Sequence, residues 1–262
     1  MPLWPQYLHG PTKTKTSGGK QADVVYFPAC ITRMMGASDD HKLSLPEVFL
    51  SLAAKANILV EKPEQLSGFC CGQAFSSKGF QQAASQTMNT TISKLWELTR
   101  NGALPVVLDV TSCSHTLMTC RPFLTKDNAA KLDGMKIFDS IQYAKDVLLP
   151  RLKISRRKNS VVLHPVCTLS KMGLEKTFKD LAGKCAEHVA VPVHAGCCGM
   201  AGDRGFFFPE LTDAATCEEA REVKAQSYDG YYSSAKTCEI SISGATQKNY
   251  ESILYLLDEV SE

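Results

Sequence analysis

A chain of 262 residues with 44% apolar and 21% charged side chains is long enough for two ordinary cores and has the balance of a soluble globular protein. Its formal charge of +2 lacks the one-sided basic load that a phosphate backbone calls for, which sets nucleic acid aside as a partner. No apolar run reaches the length of a membrane span, and Met1 to Lys20 holds no apolar signal-peptide core, so the expected location is cytoplasmic, with peripheral attachment to the inner membrane through partners left open.

Residues 1–22, with Pro2, Pro5, Pro11 and Thr-Lys-Thr-Lys-Thr-Ser-Gly-Gly-Lys, have no apolar periodicity and read as a linker from a preceding domain. The chain is therefore expected to be the C-terminal piece of a longer protein. A strand follows at Val24 to Phe27, then a helix near Leu45 to Asn57 and a short strand at Ile58 to Val60. A long helix from about Gly79 to Thr99 is stopped by Gly102 and followed by an apolar strand, Pro105 to Val110. A strand at Lys136 to Phe138 and a helix at Ser140 to Leu148 close a first half, residues 23–150, and the basic stretch Leu149 to Asn159 reads as a crossover. The second half, residues 160–262, repeats the alternation with a strand at Ser160 to Leu163, a helix from about Thr168 to Leu181 and a strand at His188 to Val193. A helix from about Leu211 to Ala225, a strand at Gly230 to Ser233 and a helix near Gln247 to Val260 complete it. Short apolar strands alternating with helices predict an α/β fold of two pseudo-symmetric, Rossmann-like halves, each a mostly parallel sheet flanked by helices.

The halves can be aligned by eye. Val-Val-Tyr-Phe-Pro-Ala-Cys30 matches Val-Val-Leu-His-Pro-Val-Cys167, Cys70-Cys71-Gly72 matches Cys197-Cys198-Gly199, and strands ending near Cys113 and Cys238 correspond. This is an internal duplication. Random placement of this composition predicts only ~0.03 Cys-Cys-Gly tripeptides in the chain, so two at matching positions are not coincidence.

Eleven cysteines without secretory features point to metal ligands or redox groups rather than a disulfide framework. Each half places one cysteine past its first strand, a vicinal pair in the next loop and a fourth after a later strand, all where a parallel sheet builds its sites. The predicted ligand sets are Cys30, Cys70, Cys71 and Cys113, and Cys167, Cys197, Cys198 and Cys238. Backbone N–H groups near a cysteine pair that precedes a helix lower thiol pKa and stabilise an anionic thiolate group, and Gly72 and Gly199 permit the turn. Four thiolates suit an iron–sulfur cluster or zinc, and ligand type does not separate them. A strained vicinal disulfide and buried packing thiols are the bland alternatives. Cys120, Cys185 and Cys217 have no counterpart between halves and read as packing or surface residues. His115, His164 and His194 are placed to hydrogen-bond behind the sulfurs, and Lys78 and Arg204 either screen a cluster's charge or are solvated loop charges. Phe206-Phe207-Phe208 reads as core packing, with a cover for the second site or a partner surface as the other option.

At Pro28-Ala29-Cys30, Cys70-Cys71-Gly72, Ser112-Cys113, Pro165-Val166-Cys167, Cys197-Cys198-Gly199 and Cys238 the sequence resembles the cysteine-rich CCG domain family. That module occurs twice in iron–sulfur subunits of glycolate oxidase, anaerobic glycerol-3-phosphate dehydrogenase, lactate utilisation proteins and heterodisulfide reductase. The opening Pro-Leu-Trp-Pro-Gln-Tyr-Leu-His-Gly-Pro also resembles the segment joining ferredoxin-type clusters to this module in fused FAD-dependent D-lactate dehydrogenases of bacteria. The resemblance implies an iron–sulfur electron-transfer domain, with 4Fe-4S the expected cluster and zinc an option in one half. Electrons would come from a flavin-linked 2-hydroxyacid (D-lactate or glycolate type) dehydrogenase and pass toward a quinone or cytochrome acceptor. FAD and the ferredoxin-like clusters belong to the partner domains of the parent oxidoreductase, not to this chain, which has no catalytic residue of its own. Where heterodisulfide reductase ends each motif in Cys-x-x-Cys, each half here supplies one terminal cysteine, which counts against disulfide reduction. A zinc-stabilised docking module without a redox role, or heterodisulfide-reductase-like thiol/disulfide chemistry, is the alternative.

Overall fold

A computed structural model describes residues 21–36 and 43–262. Apart from its last two residues, the expected linker lies outside them. The first half contains β1 (Val24–Phe27), α1 (Cys30–Met35), α2 (Leu45–Lys55), β2 (Val60–Glu61), α3 (Gln73–Ser76), α4 (Gln81–Leu98), β3 (Val106–Leu108), α5 (Thr111–Thr119), α6 (Lys126–Asp133), β4 (Ile137–Asp139) and α7 (Ser140–Tyr143). The second contains β5 (Lys158–Leu163), α8 (Cys167–Met172), α9 (Glu175–Cys185), β6 (Ala186–Ala190), α10 (Pro209–Lys224), β7 (Gly230–Ser233), α11 (Lys236–Thr246), β8 (Tyr250–Ser252) and α12 (Ile253–Val260). No helix among these residues is long and apolar enough to cross a membrane.

Both sheets are four-stranded and parallel, wound in the same order, β2-β1-β3-β4 and β6-β5-β7-β8. The α/β class and the two like halves are as the sequence predicted. In each sheet the order reverses between the two central strands, so the loops leaving β1 and β3, or β5 and β7, open a crevice at the carboxyl ends. The central strands are apolar on both faces because helices cover both: Val24, Val25, Tyr26, Val106, Val107, Val161 and Val162 are fully buried.

Packing between halves follows the duplication. α2 lies against α12, and its counterpart α9 lies against α7; α1 meets α11 and α5 meets α8 in the same reciprocal way. One continuous apolar core runs through both halves. Polar ties reinforce it: Ser51 Oγ donates to Asp258 Oδ1 at 2.7 Å, and Lys55 Nζ reaches the Asp258 carboxylate at 2.9 Å and the Ser261 carbonyl at 2.9 Å.

Several elements differ from the expectation. The helix predicted at 168–181 is two, because Gly173 at φ 68° ends α8 and α9 starts afresh at Glu175. The helix predicted near Gln247 to Val260 is the strand β8 followed by α12, and Gln247 is instead the left-handed cap of α11. Helices α5, α6 and α11 were not expected: Thr-Ser-Cys-Ser-His-Thr is poor in helix formers, and α6 is polar enough to bury only Asn128. Of the three phenylalanines expected in the core, only Phe206 is buried; Phe207 and Phe208 are about half exposed, at 49% and 50%.

Asp139, at the end of β4, accepts the Ile141 N–H at 2.9 Å and caps α7. Burial pushes its carboxyl up to about 6, against the pull of that N–H. A carboxyl raised in the fold favours folding fully below its unfolded value and loses that contribution as pH rises through its folded value. The wild-type chain should therefore lose about 2 kcal/mol between pH ~4 and ~6.5 that Asp139→Asn does not lose. Urea unfolding of both proteins over that range checks this, and parallel curves would contradict it.

Candidate metal centres

All eight motif cysteines sit beyond carboxyl ends of strands. Cys30 and Cys167 are the first residues of α1 and α8, directly after the central strands β1 and β5. Cys113 and Cys238 are the third residues of α5 and α11, after β3 and β7. The vicinal pairs occupy the loops that follow the edge strands β2 and β6. The duplicated spacing thus becomes a duplicated geometry.

In the first half, Cys30 Sγ lies 3.5 Å from Cys70 Sγ, and Cys71 Sγ lies 3.3 Å from Cys113 Sγ. The Cys70 and Cys71 thiols interact in turn, linking the four. In the second half, Cys198 Sγ lies 2.7 Å from Cys238 Sγ, and Cys167 hydrogen-bonds Cys197. The pairing, first with second and third with fourth, is the same in both. All eleven cysteines are free, so neither vicinal pair is a disulfide. Among the described residues no group of three or more His, Cys, Asp or Glu side chains is arranged around a single metal position.

Each set combines thiols held down in pKa with thiols pushed up. Hydrogen bonds from Cys30 and Cys71 lower the Cys70 thiol well below the usual range; burial opposes them, and the Gly72 N–H and the Arg33 charge assist. Cys197 is lowered to about 6, chiefly by Cys167, with the Gly199 N–H assisting, and Cys198 to about 5, chiefly by Cys238, with His164 and the Met200 N–H assisting. Cys30, Cys71, Cys167 and Cys238 rise, chiefly through their contacts with Cys70, Cys113, Cys197 and Cys198 in turn, with burial adding to each.

The supporting residues are mostly ones that sequence reasoning missed. Asp109, buried at the end of β3, accepts the Tyr26 hydroxyl at 2.6 Å and the Ala29 N–H at 2.8 Å, fixing the turn that presents Cys30. Arg33 donates to the carbonyls of Leu66 and Phe69, and to that of Pro28 at 3.2 Å, pinning the loop before Cys70. Thr91 donates to the Cys70 carbonyl at 2.7 Å and accepts its N–H at 3.2 Å, while Ser241 donates to the Cys198 carbonyl at 2.6 Å. These come from helices distant in sequence, and no local motif announces them. Asp109→Ala strands the Tyr26 hydroxyl and the Ala29 N–H without partners, so a loss of about 2–4 kcal/mol is expected by urea unfolding. A change under 1 kcal/mol, on the order of a surface substitution, would contradict it.

Of the three histidines, only His164 approaches a sulfur. It is fully buried with Nδ1 at 2.8 Å from Glu219 Oε1; burial works against its charged form, but Cys198 and Glu219 outweigh that and raise it to about 9. His194 pairs instead with Glu222 at 3.2 Å. Cys120 and Cys185 are buried in the core and Cys217 is exposed on α10, as expected of packing and surface thiols. Lys78 is not a free loop charge: it pairs with Asp203 at 2.7 Å, and Arg204 leans on the Ser77 carbonyl at 3.5 Å, so the two post-motif loops clasp each other.

The chemistry of the donor set suits an anionic metal–thiolate group, but the sulfurs of each set approach in pairs and would have to rearrange to surround one centre. Every donor is sulfur, backbone N–H groups of Gly72, Gly199 and Met200 aim at sulfurs, and Gly72 and Gly199 hold φ of 84° and 75°. A Cβ at Gly199 would stand 2.4 Å from the Leu211 carbonyl oxygen, so the second loop is closed tightly on α10.

Two like-wound parallel sheets, each gathering a Cys…Cys-Cys-Gly…Cys set at its carboxyl ends, define a duplicated cysteine-rich α/β protein. The chain belongs to the CCG cysteine-rich domain family, whose pattern matches residues 24–118 and 161–243. It is similar to one of the subunits of the anaerobic glycerol-3-phosphate dehydrogenase of Escherichia coli (strain K12), and to the same protein of Escherichia coli O157:H7. Each is 23% identical over 192 residues, covering 72% of this chain and 48% of the relative. The chain therefore spans about half the length of these curated relatives. Among solved structures, an aspartate racemase homologue from Pyrococcus horikoshii OT3 aligns over 91% of this chain and 96% of its own, with 12% identity and a TM-score of 0.32, too slight a likeness to carry an argument.

Proposed function

We propose that this chain is an iron–sulfur electron-transfer unit of a dehydrogenase complex, with one centre in each half, residues 23–150 and 160–262. The observation that carries the reading is the gathering of Cys30, Cys70, Cys71 and Cys113, and of Cys167, Cys197, Cys198 and Cys238, into two sulfur sets backed by N–H donors. Membership of the CCG family and similarity to part of a dehydrogenase complex support it. A bound cluster would supply one-electron storage, while the chain supplies deprotonated sulfur, N–H groups that tune the potential, and exclusion of water. No general acid or base of this chain is required.

The parent activity we propose is a flavin-linked dehydrogenase of a 2-hydroxy acid of the D-lactate or glycolate type, with FAD held by a partner flavoprotein domain and ferredoxin-like clusters between. The motif residues and the opening segment of the chain support that assignment by resemblance. The acceptor would be a quinone or a cytochrome, reached from the cytoplasmic side. Reduction of anaerobically purified protein with dithionite should bleach its visible absorbance, and ferricyanide should restore it; a colourless protein that exchanges no electrons would end the reading.

One observation favours a second reading in which a centre is zinc. A tetrahedral zinc ion with bonds of about 2.3 Å spaces its sulfurs about 3.8 Å apart. Two of the six sulfur–sulfur spacings of the first half, 3.3 and 3.5 Å, lie near that value, so a zinc ion asks for less rearrangement of the loops than a larger cluster.

A further inference from the structure

Where the aligned strands reach their first cysteines, Phe27 of the first half stands in the place of His164 in the second, each three residues ahead of its cysteine. We propose that His164 is a positioning residue that hydrogen-bonds the Cys198 sulfur and makes a centre in residues 160–262 easier to reduce than its twin in residues 23–150, where Phe27 cannot donate. This deepens the electron-transfer reading by giving the transfer a direction, and it rests on that reading.

Both side chains are buried, so what each offers the sulfurs is decided by its own chemistry. The imidazole is fixed through Nδ1, which lies 2.8 and 2.9 Å from the two oxygens of Glu219, a buried residue of α10. Its Nε2 is buried with no oxygen or nitrogen partner and faces the Cys198 sulfur. With a carboxylate on one side and a metal-binding thiolate on the other, the ring donates from both nitrogens. The backbone that carries it is tied to β7: the His164 N–H donates to the Tyr232 carbonyl at 2.8 Å, and the Ser233 hydroxyl donates to the His164 carbonyl at 3.0 Å. A hydrogen bond to a ligating sulfur stabilises the more negative, reduced form of a centre and so raises its potential.

Exposure acts in the same direction. Cys167 and Cys197 are exposed, whereas Cys30 and Cys70, which hold the same places, are only partly so, and water also favours the more negative form. The nearby charges do not reverse the order. Each half has one cation near its first cysteine, Arg33 near Cys30 and Lys171 near Cys167, so these offset between halves. Lys236, beside Cys238, is neutralised by Glu239 at 3.0 Å. The first half alone buries a carboxyl, Asp109, beneath the turn that carries its first cysteine; its counterpart four residues before Cys238 is Ser234. One electron given up by the first centre is then gained by the second.

The test is a potentiometric titration of the anaerobically purified full chain with dithionite, followed by electron paramagnetic resonance. Cys71→Ser leaves the second centre to be read alone, and Cys198→Ser the first. The second should be reduced at the higher potential. His164→Phe, made in the Cys71→Ser chain, should lower the second centre's reduction equilibrium about tenfold, a shift of about 59 mV for one electron, as loss of one charge-assisted hydrogen bond requires. The same substitution in the Cys198→Ser chain should leave the first potential where it was. If Glu219, left buried and alone, unfolds that variant, His164→Phe with Glu219→Leu removes both polar groups together and should give the same shift. A first centre as easily reduced as the second, or a second centre indifferent to the loss of His164, overturns the proposal and leaves the electron-transfer reading standing. One half without a reducible centre also overturns it, and both halves without one end the electron-transfer reading as well.

Discussion

Cys71→Ser and Cys198→Ser, each purified anaerobically, should carry about half the iron and half the visible absorbance of the unaltered chain, and the double variant almost none. The reason is local: Cys71 and Cys198 are the buried members of the vicinal pairs, in contact with Cys113 and Cys238 at 3.3 and 2.7 Å. A serine hydroxyl is a harder and far less acidic donor than a thiol, so a cluster that needs four soft anionic ligands loses one it cannot replace. The two sets draw on different sheets, so losing one should spare the other. Cys217→Ser, on the exposed face of α10, is the control and should keep full iron. Full iron in both single variants, or total loss in either, would show that the sets are not two independent centres.

Gly199→Ala should be far more damaging than Gly72→Ala, although the two glycines hold equivalent places. Both have positive φ, 75° and 84°, which costs an alanine about 1 kcal/mol in each case. The difference lies in what a methyl group meets. At Gly72 it reaches the Met88 side chain at 3.0 and 3.2 Å, and a methionine can swing aside. At Gly199 it reaches the Leu211 carbonyl oxygen at 2.4 Å and the Thr212 Cα at 2.8 Å, both backbone atoms of α10, which must move as a body. The expected cost is therefore about 1–2 kcal/mol at Gly72 and about 3–4 kcal/mol at Gly199, with loss of the second centre alone. Equal midpoints in urea for the two variants would contradict this.

The sequence carried the duplication because the same apolar strand and the same Cys-Cys-Gly loop occur twice at one spacing, and the apolar runs of β1 and β5 are plain. The placement of the eight motif cysteines was legible for the same reason: a cysteine past a strand end is placed by topology. What was hidden depended on tertiary contact. Asp109, Arg33 and Thr91 act on the cysteine loops across long stretches of chain, and as single residues they look like a strand-end acid, a loop cation and a helix hydroxyl. Helix α11 was masked by its run of Ser, Thr and Ile, residues that favour strands and caps in isolation and are held helical here by burial of Ile242, Ser243 and Thr246. Phe207 and Phe208 misled in the other direction, since an apolar triplet ordinarily packs inward, and only contact between the two loops leaves them on a cleft.

A count of iron, acid-labile sulfide and zinc per chain in anaerobically purified protein bears most directly on the electron-transfer role. Iron and labile sulfide should be present in equal amounts, shared between two centres that the Cys71 and Cys198 variants remove one at a time. Zinc without sulfide at one ion per cysteine set, or no metal in either, would contradict that role.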